Sequence, residues 1–194
     1  MIAPIVQATV LDLLRDLGAA LSASGLRWYL FGAQAAIFHG SSRLSADVDA
    51  TVMMEPEQAD SLLGTLATRG IVPRNVDFRN IAAKHRVLLL WHERTGMPLD
   101  LVLGGTGIEE EFCDRARVHE LGGFGIPVIS AEDLVASKIL AGRGKDLDDV
   151  RAIMLASKDA LDSDRVAEIL RQFEQALDRG DLLSTFEEIS SRRR

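Results

Sequence analysis

Cysteine occurs once in the 194 residues, at Cys113, so neither a disulfide framework nor a multi-cysteine zinc site is available. Proline is also scarce, with five residues spread along the chain. No Pro/Gly/Ser linker, internal repeat or low-complexity tract divides it. Uncharged apolar runs stay far below the roughly 18 residues that a membrane span needs. The densest, Val87–Trp91, is strand-sized. Asp12, Arg15 and Asp16 interrupt the apolar pattern near the N-terminus, which argues against a signal peptide. The four histidines, His39, His85, His92 and His119, show no His-x₃-His or His-Glu-x-x-His spacing. No serine lies in a Gly-x-Ser-x-Gly elbow, and Gly104–Gly107 and Gly142–Lys145 lack the spacing of a Walker A loop. Cys113 follows Glu109, Glu110, Glu111 and Phe112; negative neighbours raise a thiol's pKa, which marks a structural cysteine rather than a nucleophile. These absences leave an expectation of a soluble, cytoplasmic globular protein with no membrane partner.

What is present is the composition of a folded protein, 47% hydrophobic and 26% charged. The net charge of −7 excludes a general nucleic-acid coat but not a local basic groove. Helical spacing runs over Ile5–Ser24, with Gly25 as its stop, and Leu26–Phe31 is a short aromatic strand. Ala33–His39 reads as a short helix and Asp47–Met53 as a strand. Pro56–Arg69 reads as an amphipathic helix, with Pro56 in its first turn and Gly70 after its end. His85–His92 and Leu99–Leu103 form an antiparallel hairpin, and Val118–Leu121 with Phe124–Ile129 a second one. Ser130 to Asp133 resembles a capping box for a helix through Ala141. Beyond it the pattern is helical, with Asp162-Ser163-Asp164 opening another helix and Gly180 ending it. The expected fold class is α/β (α+β): a small mixed sheet with covering helices in residues 1–129, then a helical C-terminal region in residues 130–194.

Asp47 and Asp49 flank Val48 in a strand-like run. The side-chain period of a strand is two, so both carboxylates leave one face. Asp100 lies in the apolar run Pro98–Leu103, where a charge is costly unless it is paired or binds metal. If those strands adjoin, three carboxylates converge, and hard oxygen donors of this kind suit Mg²⁺. Such a set is what a two-metal phosphoryl or nucleotidyl transfer requires. The structural alternative is that Asp-x-Asp is solvated surface and that Asp100 pairs with Arg43, Arg79 or Arg86.

Gly32-Ala33, thirteen further residues, Asp47-Val48-Asp49 and the later Asp100 together resemble the nucleotidyltransferase superfamily related to DNA polymerase beta. Arg43-Leu44-Ser45-Ala46-Asp47-Val48-Asp49 is similar to the Arg-x-Ser/Thr-x-Asp-x-Asp form of its AbiEii-type branch. Lys138 to Asp149 is similar to that branch's later Lys…Arg…(Lys/Arg)-Asp-x-x-Asp element. The resemblance implies that Gly32 opens a turn whose backbone N–H groups, with Ala33, Arg43 and Ser45, meet the nucleotide's phosphates. It implies that Asp47, Asp49 and Asp100 hold Mg²⁺ (or Mn²⁺), with Asp100 acting as or assisting the general base. Lys138 would reach a phosphate, while Asp146 and Asp149 would hold Lys or Arg groups in place. Ala33 departs from the usual Gly or Ser: it keeps the backbone donor and loses the hydroxyl.

The expected function is metal-dependent transfer of a nucleoside monophosphate from an NTP to an acceptor hydroxyl. Through the branch it resembles, tRNA or another RNA is an implied acceptor and an antitoxin protein an implied partner. A catalytically weak nucleotide- or protein-binding module, and transfer to a small molecule or protein, stay open. Six basic residues against two acidic ones between Arg69 and Arg94 allow a groove for acceptor phosphates, with Phe78 and Trp91 for stacking. They equally allow a solvated sheet edge.

Overall fold

The structure, a computed structural model, describes residues 9–43 and 45–191. The expected helix start at Ile5 and the terminal run Arg192-Arg193-Arg194 lie outside the described residues. In chain order the elements are α1 (Val10–Ala23), β1 (Trp28–Phe31), α2 (Gly32–Phe38), β2 (Val48–Met53), α3 (Ala59–Ala67), β3 (Ile71–Pro73), α4 (Phe78–His85), β4 (Val87–His92), β5 (Met97–Gly104), α5 (Ile108–Arg115), β6 (Arg117–Leu121), β7 (Phe124–Val128), α6 (Ala131–Ala141), α7 (Gly144–Ser157), α8 (Ser163–Leu177) and α9 (Leu182–Ser191). They fall into two compact units. One comprises the described residues up to Leu30 together with Ser45–Val128; the other comprises those from Phe31 to Arg43 together with those from Ile129 onward.

The first unit holds a seven-stranded sheet of order β3-β4-β5-β2-β1-β7-β6. It is mixed, as expected. β2 with β5 and β1 with β7 are parallel, while β3–β4, β4–β5 and β6–β7 are antiparallel. Both expected hairpins are present in the last two of these antiparallel pairs. Along β2, β4 and β5 every second residue, Val48, Ala50, Val52, Leu88, Leu90, Leu99, Leu101 and Leu103, is buried on one face. Each such leucine contributes about 1.5–3 kcal/mol of transfer free energy. The opposite face carries Asp49, Leu89 and Asp100, all half-buried.

α1 presents Leu13, Leu14, Leu17 and Leu21 to the core and starts at a capping box between Thr9 and Asp12. The expected single helix over Pro56–Arg69 is a 3₁₀ turn, Pro56–Gln58, followed by α3. Three elements carry no period strong enough to read from sequence. β3 has three residues, and α4 and α5 are two-turn helices with one buried position each.

In the second unit α6 packs against α2, α7, α8 and α9 and is therefore buried nearly all round. Ser130 caps it as expected, its Oγ accepting from the Asp133 N–H at 3.2 Å. The N-cap of α8 is Asp162, whose carboxylate accepts from the Arg165 N–H at 3.0 Å. That helix ends earlier than its sequence implies. Asp178 takes the left-handed conformation at φ 51° and stops it, leaving Gly180 in the link to α9. Gly40, at φ 100°, lies against α7 so closely that a Cβ there would sit 2.3 Å from that of Ala156. Among the described residues, no helix is long and apolar enough to cross a membrane.

Candidate active site

Asp49 and Asp100 are register partners on the parallel strands β2 and β5, so the sheet sets the two carboxylates side by side on its half-buried face. Asp47 directly precedes β2 and is exposed; its carboxylate accepts a hydrogen bond from the Ser45 hydroxyl. The structure sets Asp49 beside Asp100 and leaves Asp47 just ahead of the strand. Among the described residues, no three His, Cys, Asp or Glu side chains are grouped to hold a metal ion. Asp100 is paired with a cation: the Arg74 guanidinium donates to its Oδ1. The partner of Asp100 is therefore Arg74 and none of the three arginines considered from sequence. In donor type and strand register the acids fit a hard divalent cation; the Arg74 pair separates this arrangement from a closed site.

Four more arginines of the 69–94 stretch are also engaged. Arg79 pairs with Asp60 and Arg86 with Glu55, and Arg94 bridges Asp12 and Asp16. Arg69 reaches Asp16 at 4.0 Å. These pairs set each of the four arginines against an acid of the first unit. Phe78 stacks under the Arg79 guanidinium. His92 is fully buried and satisfied, between Thr95 at 2.8 Å and Asp16 at 3.2 Å.

The second unit contains a cluster built on Asp149, which is 1% exposed. Its Oδ1 accepts from Ser41 Oγ at 2.8 Å and Arg43 Nε at 3.3 Å. Its Oδ2 accepts from Arg43 Nη2 at 3.0 Å and Lys138 Nζ at 2.7 Å. Burial alone would raise this carboxyl, but the bonds from Arg43, Lys138 and Ser41, with the Lys138 charge, outweigh it and hold the group at about 2. Lys138 also donates to Asp146 at 3.5 Å, and Asp146 in turn binds Arg143. Lys138 is thus buried on the central helix with its ammonium between two acids, whereas the Arg43 side chain remains about one-third exposed.

Gly32 opens α2 at φ 70°, a conformation that only glycine adopts without strain. Ala33 follows it and is buried. Ser41 and Arg74 carry no sequence signal of their own. One lies in an ordinary Gly-Ser-Ser turn and the other is one arginine of six basic residues. Cys113 is half-buried, and burial first of all pushes its thiol up. Asp114 and Glu110 add to this, and Arg27 opposes it.

A family model for the nucleotidyl transferase AbiEii toxin of type IV toxin–antitoxin systems matches residues 12–193. No curated protein sequence gives a significant match. Among solved structures, the antibiotic-resistance factor ANT(2'')-Ia in solution is 15% identical at a TM-score of 0.59, covering 87% of this chain and 94% of its own. The crystal structure of ANT(2'')-Ia with adenylyl-2''-tobramycin is 16% identical at 0.58, covering 87% and 99%. An antigenic nucleotidyltransferase-like protein from Paracoccidioides brasiliensis is 16% identical at 0.55, covering 91% and 92%. At such identities the likeness is one of fold, and the fold is that of nucleotidyltransferases.

Proposed function

Because the chain belongs to the AbiEii nucleotidyl transferase toxin family, we propose that it transfers a nucleoside monophosphate from an NTP to an acceptor hydroxyl in the cytoplasm, as the toxin of a toxin–antitoxin pair. The observation that supports this most is the register of Asp49 with Asp100 on adjacent parallel strands. Two acids side by side on one sheet face favour a cation; Arg74 meets this at Asp100, and a divalent cation would meet it for both. Asp47, Asp49 and Asp100 would hold a divalent cation, Mg²⁺ or Mn²⁺, which supplies neutralisation of the triphosphate's charge. Asp100 takes the proton of the acceptor hydroxyl as its oxygen bonds to the α-phosphorus and pyrophosphate leaves.

Arg43 is the basic group of the second unit suited to a phosphate, since Asp149 fixes its guanidinium and a planar fork matches phosphate oxygens. Lys138 serves this through Asp149 and acts as a positioning residue. Gly32 and Ala33 offer backbone N–H donors to the nucleotide, and the Ser45 hydroxyl orients Asp47.

The acceptor implied by the family resemblance is an RNA such as tRNA. A second acceptor class, a small hydroxylated molecule, is favoured by the engagement of the arginines between Arg69 and Arg94 with acids of their own unit. The test is incubation with each labelled NTP, Mg²⁺ or Mn²⁺, and either total tRNA or a panel of small polyols. Asp47→Ala/Asp49→Ala protein serves as control. Label is expected on one acceptor class with the wild type alone. No transfer to any acceptor, together with no metal-dependent NTP binding, overturns the proposal.

A further inference from the structure

The nucleotidyltransfer reading leaves Arg74 without a role, and the sheet gives it a defined place. The Arg74 N–H donates to the Leu89 carbonyl at 2.8 Å, extending the β3–β4 ladder by one bond. Leu89 is the register partner of Asp100, and Asp100 that of Asp49. Arg74, Leu89, Asp100 and Asp49 therefore form one row across four neighbouring strands or their extensions, and the Arg74 side chain reaches over Leu89 to Asp100. Backbone ladders join these strands independently of the ion pair.

We propose that Arg74 is a resident counter-cation of the carboxylate site. It neutralises Asp100 when no metal is bound, and a divalent cation must displace it. This rests on the assignment of Asp47, Asp49 and Asp100 as metal ligands.

Two features make the pair exchangeable rather than structural. Arg74 and Asp100 side chains are 33% and 39% exposed, and a pair that meets water is weak. By contrast, Lys138 and Asp149 are 5% and 1% exposed, and an ion pair so buried is costly to open. A guanidinium and a divalent cation on one carboxylate also repel each other, so occupancy by one disfavours the other. Once displaced, the guanidinium stays tethered beside the site, where the phosphates of an NTP offer it a new partner. Nucleotide and metal then bind cooperatively, because each removes the obstacle to the other.

The test is a titration with Mn²⁺, following the resonance of unbound Mn²⁺ by electron paramagnetic resonance, with and without a non-hydrolysable NTP analogue. Without nucleotide, Arg74→Ala is expected to bind Mn²⁺ roughly two- to fivefold more tightly than wild type, given the strength of part-exposed pairs. Arg74→Lys, which keeps the charge, is expected to fall between them. The analogue should tighten Mn²⁺ binding by the wild type more than by Arg74→Ala. Unchanged or weaker Mn²⁺ binding by Arg74→Ala overturns the role of Arg74. Asp100→Asn tests the underlying assignment separately: if it binds Mn²⁺ as well as wild type, the metal-ligand assignment is wrong, whatever Arg74 does. Thermal melts of all variants exclude misfolding as the cause of any loss.

Discussion

Asp149 holds the guanidinium of Arg43 by two hydrogen bonds, to Nε at 3.3 Å and Nη2 at 3.0 Å, across 106 positions of sequence. The same carboxylate takes the buried Lys138 ammonium at 2.7 Å. One acid on α7 thereby fixes a group from the turn after α2 and a group from the central helix.

Removing that acid leaves Lys138 buried with Asp146 at 3.5 Å. Asp149→Ala is expected to destabilise the protein by about 3 kcal/mol, the cost of breaking a buried ion pair from one side. Urea denaturation followed by circular dichroism measures it. A loss below about 1 kcal/mol would show that the cluster relaxes around the deletion.

The depressed Asp149 carboxyl, at about 2, also sets a pH dependence. A lowered folded-state pKa contributes stability that is full above the unfolded value of about 3.9 and lost as pH falls through about 2. The stability difference between wild type and Asp149→Asn is therefore expected to shrink by about 2 kcal/mol between pH 5 and pH 2. Denaturant midpoints at several pH values test this, and a constant difference contradicts it.

Asp100→Asn keeps the size of the side chain and removes the proton acceptor. Nucleotidyl transfer is expected to fall by about 10²–10⁴-fold, the range for loss of a general base, with a melting temperature within a few degrees of wild type. Product formation under saturating NTP is the readout. Near-normal turnover would remove Asp100 from the chemistry.

Gly40→Ala combines a disfavoured φ of 100° with a 2.3 Å approach to the Ala156 Cβ. The expected loss is about 1–3 kcal/mol, as for other overpacked sites. Adding Ala156→Gly relieves the contact and leaves the backbone strain, so thermal stability should recover only in part. Full recovery would assign the whole cost to the contact.

Much of the framework was legible because it rests on local pattern. The strand over Asp47–Met53, both hairpins and the Ser130-capped helix follow from period, turn residues and caps, and each has its counterpart in β2, β4–β5, β6–β7 and α6. The period of two correctly placed Asp49 opposite the buried face, because alternation is a property of the strand itself. β3, α4 and α5 were not legible, since three residues or two turns hold too few apolar positions to set a period. The end of α8 was misplaced because a left-handed Asp178 did what is usually left to glycine.

By itself the sequence determined that Asp49 leaves the strand face opposite the buried one, that a further acid, Asp100, lies in a later strand, and that acids at 146 and 149 stand where they can hold basic groups. Those facts depend on neighbours in the chain. Tertiary structure alone decided that Asp49 and Asp100 share a register, that Arg74 rather than Arg43, Arg79 or Arg86 neutralises Asp100, and that the residues from Phe31 to Arg43 join the helical unit. Each of these is a choice between remote partners of equal local merit. Strand order and the burial of Asp149 settle it, because a buried charge takes the cation that packing brings to it.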